Sequence, residues 1–260
     1  MPAGLARFQE RRRALCYAPA MAEPPEPDGP PKSQPARSYL QLLSLAVHEF
    51  RTPASVVGGY LRMLLRDADP SLNERQRKMV EEAEKSCERL VALIGELNDI
   101  SQLDAGRVTL GQEPFDLFTV VREVAESVHE AEERDVRLET RGIEAGARLI
   151  GDVSRLRRAL SAIFRAILRE QPSPCRVVVE RRLERQGGEN LAVIVVAPET
   201  HVQQAYESAA GAFDETRGGL GLMLPIARRI VEKHGGRIWS PEGSHARGSA
   251  IISFPTGVNR

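Results

Sequence analysis

Apolar residues recur at alternating steps of three and four from Leu40 onward, in Leu40, Leu43, Val47, Phe50, Ala54, Val57, Leu61 and Leu64. That spacing is a heptad seam and predicts a long helix. The pattern stops at Asp67-Ala-Asp-Pro-Ser, whose Asp and Pro residues suit a turn. It resumes in Val80, Ala83, Cys87, Leu90, Ile94 and Leu97, and Gly106 then offers a helix stop. Two seams joined by a short turn make an antiparallel helical hairpin. Such a hairpin exposes an apolar stripe on each helix, which pairing with a second copy buries in a four-helix bundle. A homodimer is therefore expected; packing of the stripe on the rest of a monomer is the alternative.

Beyond Gly106 the periods mix. Residues 107–110 read as a short strand and residues 116–133 as a helix with Asp116 as its N-cap. Residues 136–140 and 149–150 alternate like strands, and residues 153–170 carry a helical stripe in Leu156, Leu160, Ile163, Phe164 and Ile167. Residues 176–183 and 191–197 form a β-branched hairpin through Gly187-Gly188, and one more helix and a final hairpin close the chain. The expected fold class is α+β: a helical hairpin followed by a sandwich with helices on one side of a mixed sheet.

Composition divides the chain further. Residues 1–37 lack periodicity and hold Pro24, Pro25, Pro27, Pro30, Pro31 and Pro35, which predicts a disordered or polyproline-like tail. The domains then run 1–37, 38–106 and 107–260. Among 260 residues, 36 Lys and Arg balance 36 Asp and Glu, so no net field draws the chain to nucleic acid or an anionic membrane. Cys16, Cys87 and Cys175 are too scattered for a disulfide framework or a zinc site. No apolar run approaches the roughly 20 residues of a membrane span, and Arg7, Arg11, Arg12 and Arg13 precede no signal-like stretch. A cytoplasmic protein without a membrane span is expected.

The chemistry centres on His48-Glu-Phe-Arg-Thr-Pro53. On a helix, Arg51 and Thr52 lie one turn beyond His48 and on its side. His48 follows the seam residue Val47, which leaves its imidazole at the edge of the core. Pro53 frees the carbonyl of Glu49 and is expected to bend the helix there. Neutral imidazole accepts a phosphoryl group at physiological pH, and a carboxylate at its other nitrogen, for which Glu49 is nearest, fixes the tautomer. The zinc-protease pattern needs a second histidine four residues on, where Thr52 stands, so no metal ligand is assigned.

The run Leu45-Ala-Val-His-Glu-Phe-Arg-Thr-Pro53 closely resembles the phosphoacceptor box of two-component sensor histidine kinases. The hairpin is similar to the dimerisation and phosphotransfer domain of that family, and the remainder to its GHKL-type ATP-binding domain. The resemblance implies that His48 accepts the phosphoryl group, that Glu49 is its general base, and that Glu49 with Thr52 forms the dephosphorylation motif. Gly218-Gly-Leu-Gly-Leu222, opening a helix to His234, resembles the second glycine box, and Ile230-Val-Glu-Lys-His-Gly-Gly-Arg-Ile-Trp239 and Phe213 extend the likeness. It implies nucleotide contacts at Gly218, Gly219 and Gly221, ATP and Mg2+ as cofactors, and a response regulator with an aspartate receiver as partner.

Two family boxes are altered. Arg155 and Leu156 match, but the positions of the two phosphate- and magnesium-binding asparagines align with Ala162 and Ala166, which have no oxygen to offer. Where the family places an adenine-reading aspartate and two glycines, the chain has Ala197-Pro-Glu-Thr200, in which Glu199 is displaced from the aspartate position and lacks the glycines that let a backbone close around a base. Three functions stay open at this point: a working autokinase, an ATP-independent histidine phosphotransferase or phosphatase, and a noncatalytic pseudokinase scaffold.

Overall fold

The computed structural model describes residues 34–66, 72–243 and 248–256. The expected turn at 67–71 and almost all of the proline-rich segment lie outside them. Helix α1 runs Gln34–Arg66. It begins ahead of the boundary expected at residue 38, with Pro35 in the first turn, where a missing N–H costs nothing. The helix continues through Pro53. Helix α2, Glu74–Asp104, opens on a capping box: Asn73 accepts from the Gln76 N–H at 2.9 Å, and the Gln76 side chain accepts from the Asn73 N–H at 3.0 Å. Two orphan donors are satisfied reciprocally.

Val47 and Ala54 of α1 bury against Ile94 and Leu97 of α2, and the Cys87 thiol donates to the Ala54 carbonyl at 3.1 Å. Early α1 thus meets late α2, as an antiparallel hairpin requires. The seam divides into two faces. Val47 and Ala54 turn inward, whereas Phe50, Val57 and Leu64, also seven residues apart, are more than half exposed.

The rest of the chain comprises strand β1 Glu113–Asp116, helix α3 Leu117–Ser127, strands β2 Val136–Gly142 and β3 Arg148–Gly151, helix α4 Val153–Glu170, strands β4 Cys175–Gln186 and β5 Glu189–Pro198, helix α5 Val202–Glu207, strand β6 Ala210–Gly211, helix α6 Met223–Lys233, and strands β7 Arg237–Pro241 and β8 Ala250–Thr256. Six strands form one sheet in the order β2-β4-β5-β8-β7-β6, and β1 pairs with β3 in a separate ribbon. Among the described residues, only β2 and β4 are parallel in the main sheet.

Pattern and structure differ in three places. Residues 107–110 form no strand; the partner of β3 is β1, with Phe115 opposite Leu149. The helix capped by Asp116 ends at Ser127, and the chain then turns through the left-handed residues Ala131 and Asp135 before β2. Helices also cover both faces of the sheet. Val177, Val179, Ile194, Val196, Ile252 and Phe254 face the main core with α3, α4 and α6. The alternate residues Val178, Val193, Val195, Ala197 and Ile251 pack under α5 through Val202 and Ala205. Buried strands therefore read as continuous apolar runs, with no polar face to reveal a single-sided sheet.

Candidate functional site

His48 projects from α1 with 81% of its side chain exposed, while its neighbour Val47 is buried. The Nδ1 atom lies 3.6 Å from Glu49 Oε1. That is an ion-pair separation, too long for a hydrogen bond, and it leaves Nε2 facing away from the carboxylate. Arg51, Thr52 and Pro53 are exposed, and among the described residues no hydrogen bond ties Arg51 or Thr52 to the imidazole. The helix thus offers an unencumbered imidazole with one adjacent carboxylate.

The glycine loop lies on the other domain. Gly218, Gly219 and Gly221 have φ of 68°, 61° and 63°, left-handed values that disfavour side chains. The loop is held from two sides. A Cβ on Gly218 would lie 2.6 Å from Ala166 Cα, and Arg169 donates to the Gly218 carbonyl at 3.3 Å. From α2, Glu96 Oε2 accepts the Leu222 N–H at 3.1 Å. A carboxylate therefore sits at the N-terminus of α6, where the positive end of the helix dipole favours an anion. Farther along, Arg229 makes a two-pronged bond to Asp104 at 2.6 and 3.0 Å, which raises the guanidinium pKa against the opposing effect of burial.

These surroundings test the fit of a nucleotide and its metal. Ala162 and Ala166 are buried, carry no side-chain oxygen, and Gly218 closes directly over Ala166. Among the described residues no three His, Cys, Asp or Glu side chains converge on a metal site. Magnesium does not fit at these positions. Glu199 lies in a turn after β5 and pairs with Arg141 and Arg176; the Arg141 hydrogen bond pulls its carboxyl below the usual range. Those pairs hold it at the sheet edge.

Sequence reasoning passed over Arg217. This residue is only 6% exposed, with Nη1 donating to the Ser249 carbonyl at 2.8 Å and Nη2 to Ser240 Oγ at 2.7 Å. Its guanidinium carbon stands 5.4 Å from the centroid of the Phe213 ring. Val196 is opposite Ala250 in the sheet, so Ser249 borders Ala197 and the end of β5. The strand end where an adenine-reading acid was sought is therefore flanked by the chain's own guanidinium. Burial lowers the Arg217 pKa, and among the described residues Arg217 Nε and Ser249 Oγ have no hydrogen-bond partner. An arginine ahead of two glycines reads in sequence as a solvated charge, so no local signal marked it.

Comparison with known proteins agrees with this geometry. Residues 38–106 match the His Kinase A (phospho-acceptor) domain, and residues 151–257 match the histidine kinase-, DNA gyrase B- and HSP90-like ATPase. The signal transduction histidine-protein kinase BarA of Escherichia coli K12 is 28% identical over 215 residues, covering 78% of this chain and 23% of BarA. The chain thus spans about a quarter of the length of that curated relative. Full-length ShkA, solved in complex with AMPPNP, superposes with a TM-score of 0.58 at 22% identity, covering 83% of this chain and 45% of ShkA. Histidine kinase ThkA, solved with the response regulator protein TrrA, gives a TM-score of 0.50 at 19% identity, covering 87% of this chain and 64% of ThkA. The two structures share the fold. The likenesses do not favour the ATP-independent and scaffold readings. No helix among the described residues is long and apolar enough to cross a membrane.

Proposed function

We propose that this chain, which belongs to the two-component sensor histidine kinase family, carries a phosphoryl group on His48 and passes it to an aspartate of a response-regulator receiver. The observation that carries the reading is the exposed imidazole at the phosphoacceptor position, with its Nδ1 turned toward Glu49. In that orientation Nδ1 keeps the proton and Nε2 holds the lone pair that attacks phosphorus. As the P–N bond forms and the donor's P–O bond breaks, positive charge develops on the ring. The Glu49 carboxylate stabilises it and takes up the Nδ1 proton. Transfer onward exchanges the P–N bond for a P–O bond to the receiver aspartate, and the imidazole is regenerated. Thr52, one helical turn beyond, orients the water that hydrolyses the receiver phosphate.

ATP is the donor by family likeness, and any nucleotide approaches the loop of Gly218, Gly219 and Gly221. No step is assigned to Mg2+, because Ala162 and Ala166 cannot hold it. Residues 38–106 act as the dimerisation and phosphotransfer domain and residues 107–260 as the ATPase-like domain. The exposed stripe of Phe50, Val57, Tyr60 and Leu64 supports a homodimer. The receiver docks on the hairpin beside His48, where the acceptor imidazole is exposed; ThkA, which shares the fold, was solved in complex with a response regulator protein. The free thiols Cys87 and Cys175 suit a reducing cytoplasm.

Incubation with γ-labelled ATP, beside a His48→Ala control, tests the reading. The expected result is label that survives base, is lost in acid and is absent from the control. Label that persists in His48→Ala would refute the acceptor assignment.

A further inference from the structure

A cleft of about 400 Å3 opens between α3, α4 and the residues just before α6, next to the glycine loop. Its polar wall comes from α4. Arg158, Ser161 and Arg165 stand at steps of three and four, which puts them on one helical face. Arg157 also lines the cleft, but its charge is matched by Glu123. Arg158 and Arg165 are exposed and have no ion pair or hydrogen bond among the described residues. Leu220 and Met223 supply an apolar wall.

The charges around the cleft leave this surplus uncancelled. Glu126 is taken by Arg122, and Glu130 by Arg169. On the hairpin side, Glu96 and Asp99 share a small second cavity with Arg158, yet neither pairs with it, and Glu96 accepts the Leu222 N–H. Two unmatched guanidiniums beside a hydroxyl, in a concave site of this size, form a recognition surface for phosphate oxygens.

We propose that this cleft binds a pyrophosphate-bearing anion without a divalent cation, with Arg158 and Arg165 supplying the positive charge that Ala162 and Ala166 cannot recruit as a metal. Seven residues of helix separate the two arginines by about 10 Å of rise, a separation that favours two linked phosphates over one. The inference concerns binding alone and does not require His48 to be the acceptor.

Calorimetric titration of the full chain with inorganic pyrophosphate in EDTA tests it. Saturable binding at one site per chain is expected, weakened roughly tenfold or more by Arg158→Gln or Arg165→Gln. Arg137→Gln, a surface change outside the cleft, should leave it unaltered. All three side chains are exposed, and matched circular dichroism confirms that the variants fold. ATP that competes with pyrophosphate in EDTA identifies the nucleotide's phosphates as the natural source. ATP that does not compete, while pyrophosphate binds, identifies a free polyphosphate. Binding that appears only with Mg2+, or equal losses in all three variants, overturns the proposal. The acceptor reading is judged separately, since His48→Ala should bind pyrophosphate as the parent does.

Discussion

Asp152 shows how much one side chain holds in place. Its carboxylate caps α4, accepting from the Arg155 N–H at 2.9 Å, and also accepts from the Gly111 N–H at 3.3 Å. The Arg155 backbone bond is the main reason its carboxyl lies below the ordinary value, with Gly111 and the Arg155 charge adding to it. A depressed folded pKa contributes stability that is present above the unfolded carboxyl value and is lost as pH falls through the folded one. Asp152→Ala should therefore cost about 1 kcal/mol at neutral pH, and less in acid. Denaturant midpoints of parent and variant at pH 7 and near pH 3 check this, and a pH-independent difference would contradict it. The backbone N–H of the same residue donates to His234 Nε2 at 2.9 Å, while His234 Nδ1 faces the Ile230 carbonyl at 2.7 Å. That pattern selects the Nδ1–H tautomer. The Asp116 cap was legible because a short acid preceded an apolar period; the His234 bridge was not, because its partner lies 82 positions away.

At the scale of elements, the hairpin was legible because seven-residue repetition leaves few alternatives. What periodicity alone did not separate is which half of the seam faces inward. Val47 and Ala54 are covered by α2, while Phe50, Val57 and Leu64 are left open. Val57→Glu combined with Leu64→Glu should convert the proposed homodimer to monomer in sedimentation while leaving helicity intact, because both residues are about half exposed and lie outside the buried hairpin cluster. Loss of helical signal would instead place both in the hairpin's own core. The strand misread at 107–110 and the overlong helix at 116–133 share a cause. Short segments with few apolar positions are decided by distant partners, here the pairing of β1 with β3 and the left-handed turn residues before β2.

The whole molecule is joined by contacts that no local pattern announces. Ile100 and Leu103, at the end of α2, are buried in the main core. Asp104 and Arg229 lie 125 positions apart, yet tie α2 to α6. A double-mutant cycle of Asp104→Asn and Arg229→Gln should give a coupling of about 1 kcal/mol, reduced by salt because the pair is partly exposed. A coupling near zero would mean that apolar packing alone seats the helix. The altered nucleotide boxes were visible in sequence as Ala162, Ala166 and Ala197. Their structural consequence, with Gly218 closed over Ala166 and Arg217 folded in against Ser249, depended on tertiary closure.

Glu96 gives this junction a sign. The hairpin presents its own negative charge to the end of α6, so the Leu222 N–H has two rival claimants: the hairpin carboxylate and any anion that comes to the loop. Arrival of the anion releases the hairpin's hold by one hydrogen bond, and separation of the hairpin exposes the donor to the anion. Occupancy of the loop and freedom of the two domains thus rise together in one exchange. Glu96→Gln, which keeps an acceptor but removes its charge, should tilt that exchange toward the anion, seen as faster amide hydrogen exchange at Leu222 before any ligand is added.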